Sequence, residues 1–117
     1  MSGALSSFSA ADLGGFAISA ALERAGVAPD EVQHVIMGQV LMAGLNAIYL
    51  ANQMIAAGQA DIVIAGGMES MSNAPYIADG ARAGFRYGNT ELRDAIIADG
   101  LWCSFDGCLM GLGTDRY

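Results

Sequence analysis

The stretch Asp61-Ile-Val-Ile-Ala-Gly-Gly67 decides the fold of this 117-residue chain. Four consecutive apolar residues lie between an aspartate and a pair of glycines, and no polar residue alternates with them. A strand with one face in water alternates apolar and polar residues, whereas a strand buried on both faces is apolar throughout. The glycine pair then ends the run in a tight turn. The stretch therefore predicts a buried strand of a parallel sheet.

Three further elements precede this strand. Ser9-Ala-Ala-Asp12 has the form of a capping box with Asp in place of Glu, which predicts the start of a helix that ends at Gly26. Residues 34–41 are rich in Val, Ile and Met and predict a strand. Residues 45–57 predict a second helix, in which Leu45, Ile48, Asn52 and Ile55 lie along one stripe. The order helix, strand, helix, strand indicates α/β architecture.

The pattern changes after Gly67. Residues 68–88 combine turn formers, aromatic residues and two arginines, which predicts a long loop with a role in binding or assembly. Residues 91–98 predict a short helix. Residues 101–117 are apolar and rich in glycine. The second half of the chain is therefore expected to contain little regular structure.

Composition and charge limit the classes of function. The chain is 54% hydrophobic and 15% charged, which is too apolar for a disordered protein. Its net charge of -7 and the absence of lysine argue against nucleic acid as a partner. Residues 35–60 carry no charge, but their five amide side chains would be costly in lipid, so we expect no membrane span. We also expect no secretory signal and a reducing, cytoplasmic location.

The candidate nucleophiles are Cys103 and Cys108. A nucleophilic cysteine needs a base, usually histidine, and the single histidine, His34, lies far away in sequence at the edge of a predicted strand. Two thiols are too few for a zinc site, so no metal site is predicted. The residues alone favour two half-buried cysteines without chemistry and a solvated position for His34.

Aromatic and arginine side chains cluster in the predicted long loop, at Tyr76, Arg82, Phe85, Arg86 and Tyr87. This mixture is typical of a protein interface. A loop packed on its own side chains explains the same residues, and both interpretations remain open. The glycines at 66–67 and 111–113 match no phosphate-binding pattern, and tight turns explain them.

Residues 61–75, Asp-Ile-Val-Ile-Ala-Gly-Gly-Met-Glu-Ser-Met-Ser-Asn-Ala-Pro, resemble the strand and following turn of the thiolase family. Other stretches resemble the family in the same order: Ser-Ala-Ala-Asp-Leu at 9–13, Val-Ile-Met-Gly-Gln-Val-Leu at 35–41, Leu-Asn-Ala-Ile at 45–48, and Asp-Gly-Leu-Trp at 99–102. Residues 105–111 resemble the stretch that opens the family's coenzyme-binding loop domain. The resemblance covers nearly the whole chain and indicates a fragment of the N-terminal domain with an internal gap.

The resemblance implies a fold and a chemistry. The implied fold is α/β, a partial thiolase-type N-terminal domain with layered helices on a mostly parallel sheet and with strands missing. Residues 1–75 would form this partial domain, and residues 76–117 would begin the inter-subunit loop and the coenzyme-binding loop domain. Thiolases are acyltransferases of fatty acid metabolism that transfer an acyl group, such as acetyl, between coenzyme A thioesters through a cysteine thioester. Coenzyme A enters as a substrate, and no separate cofactor is implied.

Relative to the family, the chain lacks a segment at Met42-Ala43-Gly44, and these three residues join the flanking elements directly. We call this position the gap. In the family, a segment with a helix, a strand and the nucleophilic cysteine separates the strand matched by residues 35–41 from the helix matched by residues 45–57. The family's first strand and its C-terminal half, with a histidine and a second cysteine, are also not represented. We therefore expect no catalytic residue in this chain and no acyl transfer by it alone. Because strands are missing, we also expect aggregation or a partly molten state.

Two residues are assigned through the resemblance. Met110 matches a substrate-binding position that lines the acyl pocket, and Leu109 matches a position where close relatives often place a coenzyme-contacting histidine. Residues 75–87 match the inter-subunit loop, which predicts a homo-oligomer or contact with a full-length thiolase subunit. Acyl-CoA is the predicted small-molecule partner. The alternatives are a non-catalytic interaction module with a thiolase-like surface and a small α/β protein with an unrelated binding role.

Overall fold

The computed structural model describes residues 3–40 and 43–116, and the chain divides into two compact units, Met1–Ser72 and Asn73–Tyr117. The first unit contains four main elements in the predicted order, α1 (Ala10–Ala25), β1 (His34–Gly38), α2 (Ala43–Ala56) and β2 (Val63–Gly67). Pro29–Glu31 forms the 3₁₀ turn between α1 and β1. The predicted α/β architecture is confirmed.

Helix α1 begins where the sequence predicts it. The Asp12 N–H donates to the Ser9 hydroxyl at 3.2 Å, and the Ser9 N–H donates to the Asp12 carboxylate at 2.9 Å. These two bonds close the capping box. At the other end, Gly26 has φ +66°, a left-handed conformation that glycine adopts at little cost. Gly14 is buried in the middle of the helix, and a Cβ there would lie 2.8 Å from the Sδ atom of Met68.

Strands β1 and β2 pair in parallel, with His34 opposite Val63 and Gly38 opposite Gly67. The Gln33 side chain aligns them, since its carbonyl oxygen accepts from the N–H of Asp61 at 2.6 Å and from that of Ile62 at 3.0 Å. The glycine pair belongs to β2 and does not form the predicted turn. Within the described residues each strand has one neighbour, so β2 is half-buried and does not reach the full burial predicted for it.

Helix α2 packs against both strands through small residues, and Ala47 and Ala51 are its buried positions. The stripe predicted for this helix does not face the sheet. Leu45, Ile48 and Ile55 are 61%, 55% and 47% exposed, and Asn52 between them is exposed too. Alanine lets the helix axis come close to the sheet, and the close packing turns the larger side chains outward. We call these four residues the α2 stripe.

The second unit begins with an antiparallel pair, β3 (Tyr76–Ala78) and β4 (Leu92–Asp94). The helix predicted at residues 91–98 is wrong at its start, because that part of the chain pairs as β4. The Ala95 N–H donates to the Pro75 carbonyl at 3.1 Å, which continues the pairing. A π-helix, Ile96–Leu101, then follows. Pairing with a distant strand has overridden local helix preference here.

The remaining elements of this unit are short. Strands β5 (Trp102–Cys103) and β6 (Cys108–Leu109) form an antiparallel hairpin, and helix α3 (Met110–Thr114) follows directly. The predicted loop at residues 68–88 is interrupted by β3 and by two 3₁₀ turns, Met71–Asn73 and Ala81–Ala83. It is therefore more structured than the sequence predicts.

Burial is shallow throughout the described residues. Their buried hydrophobic side chains belong to Ala47, Ala51 and Ala60, and none of their large side chains is fully buried. No helix in this part of the chain is long and apolar enough to cross a membrane. The exposed apolar surface is large for so small a core, which favours aggregation when the chain is made alone.

Candidate functional site

The ends of β1 and β2 and the start of α2 meet at glycines. A Cβ on Gly38 would overlap Ala43, and a Cβ on Gly44 would lie 3.4 Å from the backbone nitrogen of Gly67. We call residues 38–40 and 43–44 the junction. Ligands of open parallel sheets bind at the carboxyl ends of the strands. The junction occupies this position but is filled by backbone.

Backbone strain is concentrated in the junction. Val40 has φ +68°, which a β-branched residue rarely adopts. Its N–H donates to the Glu69 carboxylate at 2.7 Å, and this bond holds the strained residue in place. Two residues of this connection lie outside the described residues. They are Leu41, which ends the predicted strand, and Met42, which begins the predicted gap. The strain marks the place where the resemblance predicts a missing segment.

The junction offers little chemistry of its own. Its residues are Gly38, Gln39, Val40, Ala43 and Gly44, and none is a nucleophile or titrates. His34 is exposed at the amino end of β1, the opposite end of the strand from Gly38. The structure therefore does not bring His34 to the junction. Amide and backbone groups are what the junction can present to a ligand.

The second unit holds both candidate thiols in one hairpin. Cys103 and Cys108 lie directly opposite each other on β5 and β6. Both are free and half-buried. The Cys103 S–H donates to the Asp106 carboxylate at 3.4 Å, and the Asp106 N–H donates back to the sulfur at 3.5 Å. The sequence analysis predicted no hairpin here. Gly107 lies between two apolar stretches, and a glycine in that position is a turn signal that could have indicated one.

Met110 and Leu109, assigned through the resemblance, follow this hairpin. Leu109 ends β6, and Met110 begins α3, where its carbonyl accepts from the Thr114 hydroxyl at 3.1 Å. The Met110 side chain is 37% exposed. Both assignments stay predictions. Among the described residues, no group of three His, Cys, Asp or Glu side chains could hold a metal ion.

A pocket of about 370 Å³ lies on the second unit, lined by Arg93, Asp94, Ile97, Ala98 and Trp102. Its cationic group is already paired, because the Arg93 guanidinium contacts the Asp79 carboxylate at 2.8 Å and 3.1 Å. Both side chains are largely exposed, so water screens the pair. The pocket size suits a small ligand, but an anion would have to compete with Asp79 for the guanidinium.

The segment assigned to subunit contact presents its aromatic residues to solvent. Tyr76 and Phe85 are mostly exposed, and Tyr87 is fully exposed. Arg82 and Arg86 are exposed as well. Such exposure leaves little packing of these side chains on the segment itself, which disfavours the packed-loop interpretation.

Comparison with known proteins places this chain in a family. The family model "Thiolase, N-terminal domain" matches residues 1–44 and 42–117, and the chain therefore belongs to the thiolase family. It is 41% identical to an acetyl-CoA acetyltransferase of Cupriavidus necator, 38% to one of Thiocystis violacea and 40% to one of Escherichia coli. Each alignment covers 97% of the chain and 37% of the relative. The chain thus spans little more than a third of these relatives' length.

The comparisons also locate an internal gap. The alignment with the Cupriavidus necator protein runs over 145 positions, more than the 117 residues of the chain. About 113 residues take part, so roughly 30 positions of the relative have no counterpart. The family model breaks into two segments at residues 42–44, within the predicted gap. The break in the family model thus falls at the strained junction.

Proposed function

We propose that this chain is part of an acetyl-CoA acetyltransferase-type protein and does not transfer acyl groups through its own thiols. Acyl transfer between coenzyme A thioesters is the chemistry proposed for a whole protein of this type. The gap at residues 42–44 carries the proposal, because the resemblance assigns the nucleophilic cysteine to the segment that is missing there. The location proposed for it is a reducing cytoplasm.

The two remaining thiols are poor substitutes for that nucleophile. Cys103 is hydrogen-bonded to a carboxylate, a negative group that opposes formation of a second negative charge, whereas nucleophilic thiols are usually activated by histidine or a positive group. Cys108 faces Cys103 across the hairpin. The sequence has one histidine, His34, and it belongs to the other compact unit. These surroundings support a chain that binds or assembles but forms no thioester.

Met110 is the substrate-contacting residue we propose for the whole protein. It begins α3 directly after the hairpin, and part of its side chain is open to solvent. An apolar, flexible thioether suits the wall of an acyl pocket. Acyl-CoA is the ligand class that follows from this assignment.

Acetyl transfer to the chain tests the proposal. We would incubate the chain with radioactive acetyl-CoA, remove free label under denaturing conditions, and locate the bound label by peptide mapping. The Cupriavidus necator acetyl-CoA acetyltransferase, named for this activity, is the positive control. We expect labelled control enzyme and no label on the chain. A stable thioester on Cys103 or Cys108, lost in the matching Cys→Ser variant, would contradict the proposal.

The second candidate function is a non-catalytic interaction module. The exposed aromatic side chains in the segment 75–87 favour it. It would bind a second copy or a complete thiolase subunit through this segment. We expect the Phe85→Ser, Tyr87→Ser double variant to bind the full-length Cupriavidus necator protein at least about tenfold more weakly in fluorescence anisotropy. Phe105→Ser, at another fully exposed aromatic residue, is the matched control. If the double variant and Phe105→Ser bind the full-length protein with the same affinity, this candidate is wrong.

A further inference from the structure

The hairpin of β5 and β6 places both cysteines of the sequence at facing positions, Cys103 opposite Cys108. Both thiols are free and half-buried. We propose that this pair is a reversible dithiol–disulfide site, oxidised and reduced by small thiol and disulfide compounds. The site is separate from the acyl-transfer chemistry and does not rest on it.

The backbone spacing of the hairpin suits a disulfide. Facing residues of an antiparallel pair have Cα atoms about 4.5–5.5 Å apart, with similar Cβ separations. A disulfide accepts Cα separations of about 4.4–6.8 Å and Cβ separations of about 3.5–4.5 Å. The Cα atoms of Cys103 and Cys108 are therefore at a suitable spacing already. Their Cβ atoms need to approach by about 1 Å or less, which a two-stranded hairpin can accommodate.

The turn fixes which residues face each other. Gly107 has φ +61°, and its N–H donates to the Cys103 carbonyl at 2.9 Å. Glycine adopts this left-handed conformation without the cost of a Cβ, so the four-residue turn closes in one register. A slip of one residue would send one of the two cysteine side chains to the other face of the hairpin. The pairing of the thiols is thus a property of the fold as well as of their closeness in sequence.

The reduced state has its own stabilising contacts. The Cys103 S–H donates to the Asp106 carboxylate, and the Asp106 N–H donates to the Cys103 sulfur. Forming the disulfide removes the S–H and its bond to the carboxylate. This loss offsets part of the gain from the favourable backbone spacing. The contacts of the reduced state therefore oppose oxidation, and a small-molecule reductant regains them when it opens the disulfide.

The reaction is a double thiol–disulfide exchange with a low-molecular-weight disulfide such as oxidised glutathione. One cysteine, as its thiolate, attacks a sulfur of the small disulfide, forms a mixed disulfide, and releases one small thiolate. The second cysteine then loses its proton and attacks the mixed disulfide at the protein sulfur. This step forms the Cys103–Cys108 bond and releases the second small thiolate. The protein loses two electrons and two protons, and the small disulfide takes up both.

Equilibration in glutathione redox buffers tests the site. The intact chain, at low concentration, would be equilibrated at graded ratios of oxidised to reduced glutathione, quenched with acid, alkylated and weighed by mass spectrometry. We expect a monomer about 2 Da lighter than the reduced chain and without alkylation. Peptide mapping should find Cys103 joined to Cys108. The single variants Cys103→Ser and Cys108→Ser should instead give only the mixed disulfide with glutathione.

The same titration in concentrated guanidinium shows how much of the tendency to form the disulfide comes from the folded hairpin and how much from the short distance between the cysteines in sequence. We expect the equilibrium constant for disulfide formation to be at least about tenfold larger in native buffer, because the hairpin holds the thiols together. Equal constants in the two conditions would overturn the proposal, since the hairpin would then contribute nothing. Mixed disulfides or linked dimers as the main products of the intact chain would overturn it as well.

Discussion

Val40 shows at the scale of one residue what the shortened connection between β1 and α2 does to the chain. It holds φ +68° although its side chain is β-branched, and the Glu69 carboxylate fixes its N–H. A non-glycine residue in this conformation costs about 1–2 kcal/mol. No pattern in the sequence indicated this strain, because it arises where a strand end and a helix start are brought together.

Replacing Val40 should therefore stabilise the first unit. Asparagine tolerates the left-handed region, and Val40 is mostly exposed, so Val40→Asn loses little burial. We expect a gain of about 0.5–1 kcal/mol in the protection of the β1 amides, measured by hydrogen exchange. Val35→Asn is the matched control, since Val35 is a similarly exposed valine in extended backbone of β1, and it should lower protection. Loss of protection in both variants would show that Val40 is not strained.

At the scale of elements, α1 is held by local bonds that titrate. Hydrogen bonds from the Ser9 hydroxyl, and secondly from the Ser9 backbone N–H, lower the pKa of Asp12 below its ordinary value of 3.8. A carboxyl group with a lowered pKa in the folded state stabilises that state above its unfolded pKa. This contribution is lost as the pH falls through the folded value.

Acid should therefore weaken α1 through Asp12. We expect the helical signal in far-ultraviolet circular dichroism to fall between about pH 5 and pH 2, with a component that disappears in Asp12→Asn. Ser9→Ala removes the hydroxyl that lowers the pKa and should shift that component to higher pH. If the acid transition of the Asp12→Asn variant overlays that of the unchanged chain, the capping box does not contribute to the pH dependence.

For the whole molecule, two exposed features govern how the chain behaves in solution. They are the α2 stripe and the edges of β1 and β2 that have no neighbour within the described residues. Ala47 and Ala51 occupy the packed face, so the larger apolar side chains of this uncharged helix face outward. A helix that is apolar on most sides is ordinarily covered by other structure. The alignment with the Cupriavidus necator protein leaves roughly 30 positions of that relative without a counterpart, and the family model breaks at the junction from which α2 begins. We expect a segment of that length to cover part of this surface.

When the chain is made alone, its first unit should therefore remain partly molten, bind an apolar dye and cause aggregation as the concentration rises. Changing Leu45, Ile48 and Ile55 together to Gln should lower dye fluorescence by about half or more and reduce aggregation seen by light scattering. Ala47→Gln is the control, because a polar group in the packed face should worsen both. A sharp, cooperative thermal transition in a monomer of the unchanged chain would contradict this expectation.

Short stretches of sequence were enough to predict where α1 begins, that residues 61–67 hold a parallel strand, and which family the chain resembles. Each of these depends on neighbouring residues or on a continuous stretch. Three features became visible only in the folded chain: α2 packs through alanines, residues 92–94 form a strand, and Cys103 faces Cys108. These outcomes depend on contacts between residues distant in sequence or on the register of a turn, and the free energies of such contacts outweigh local preference.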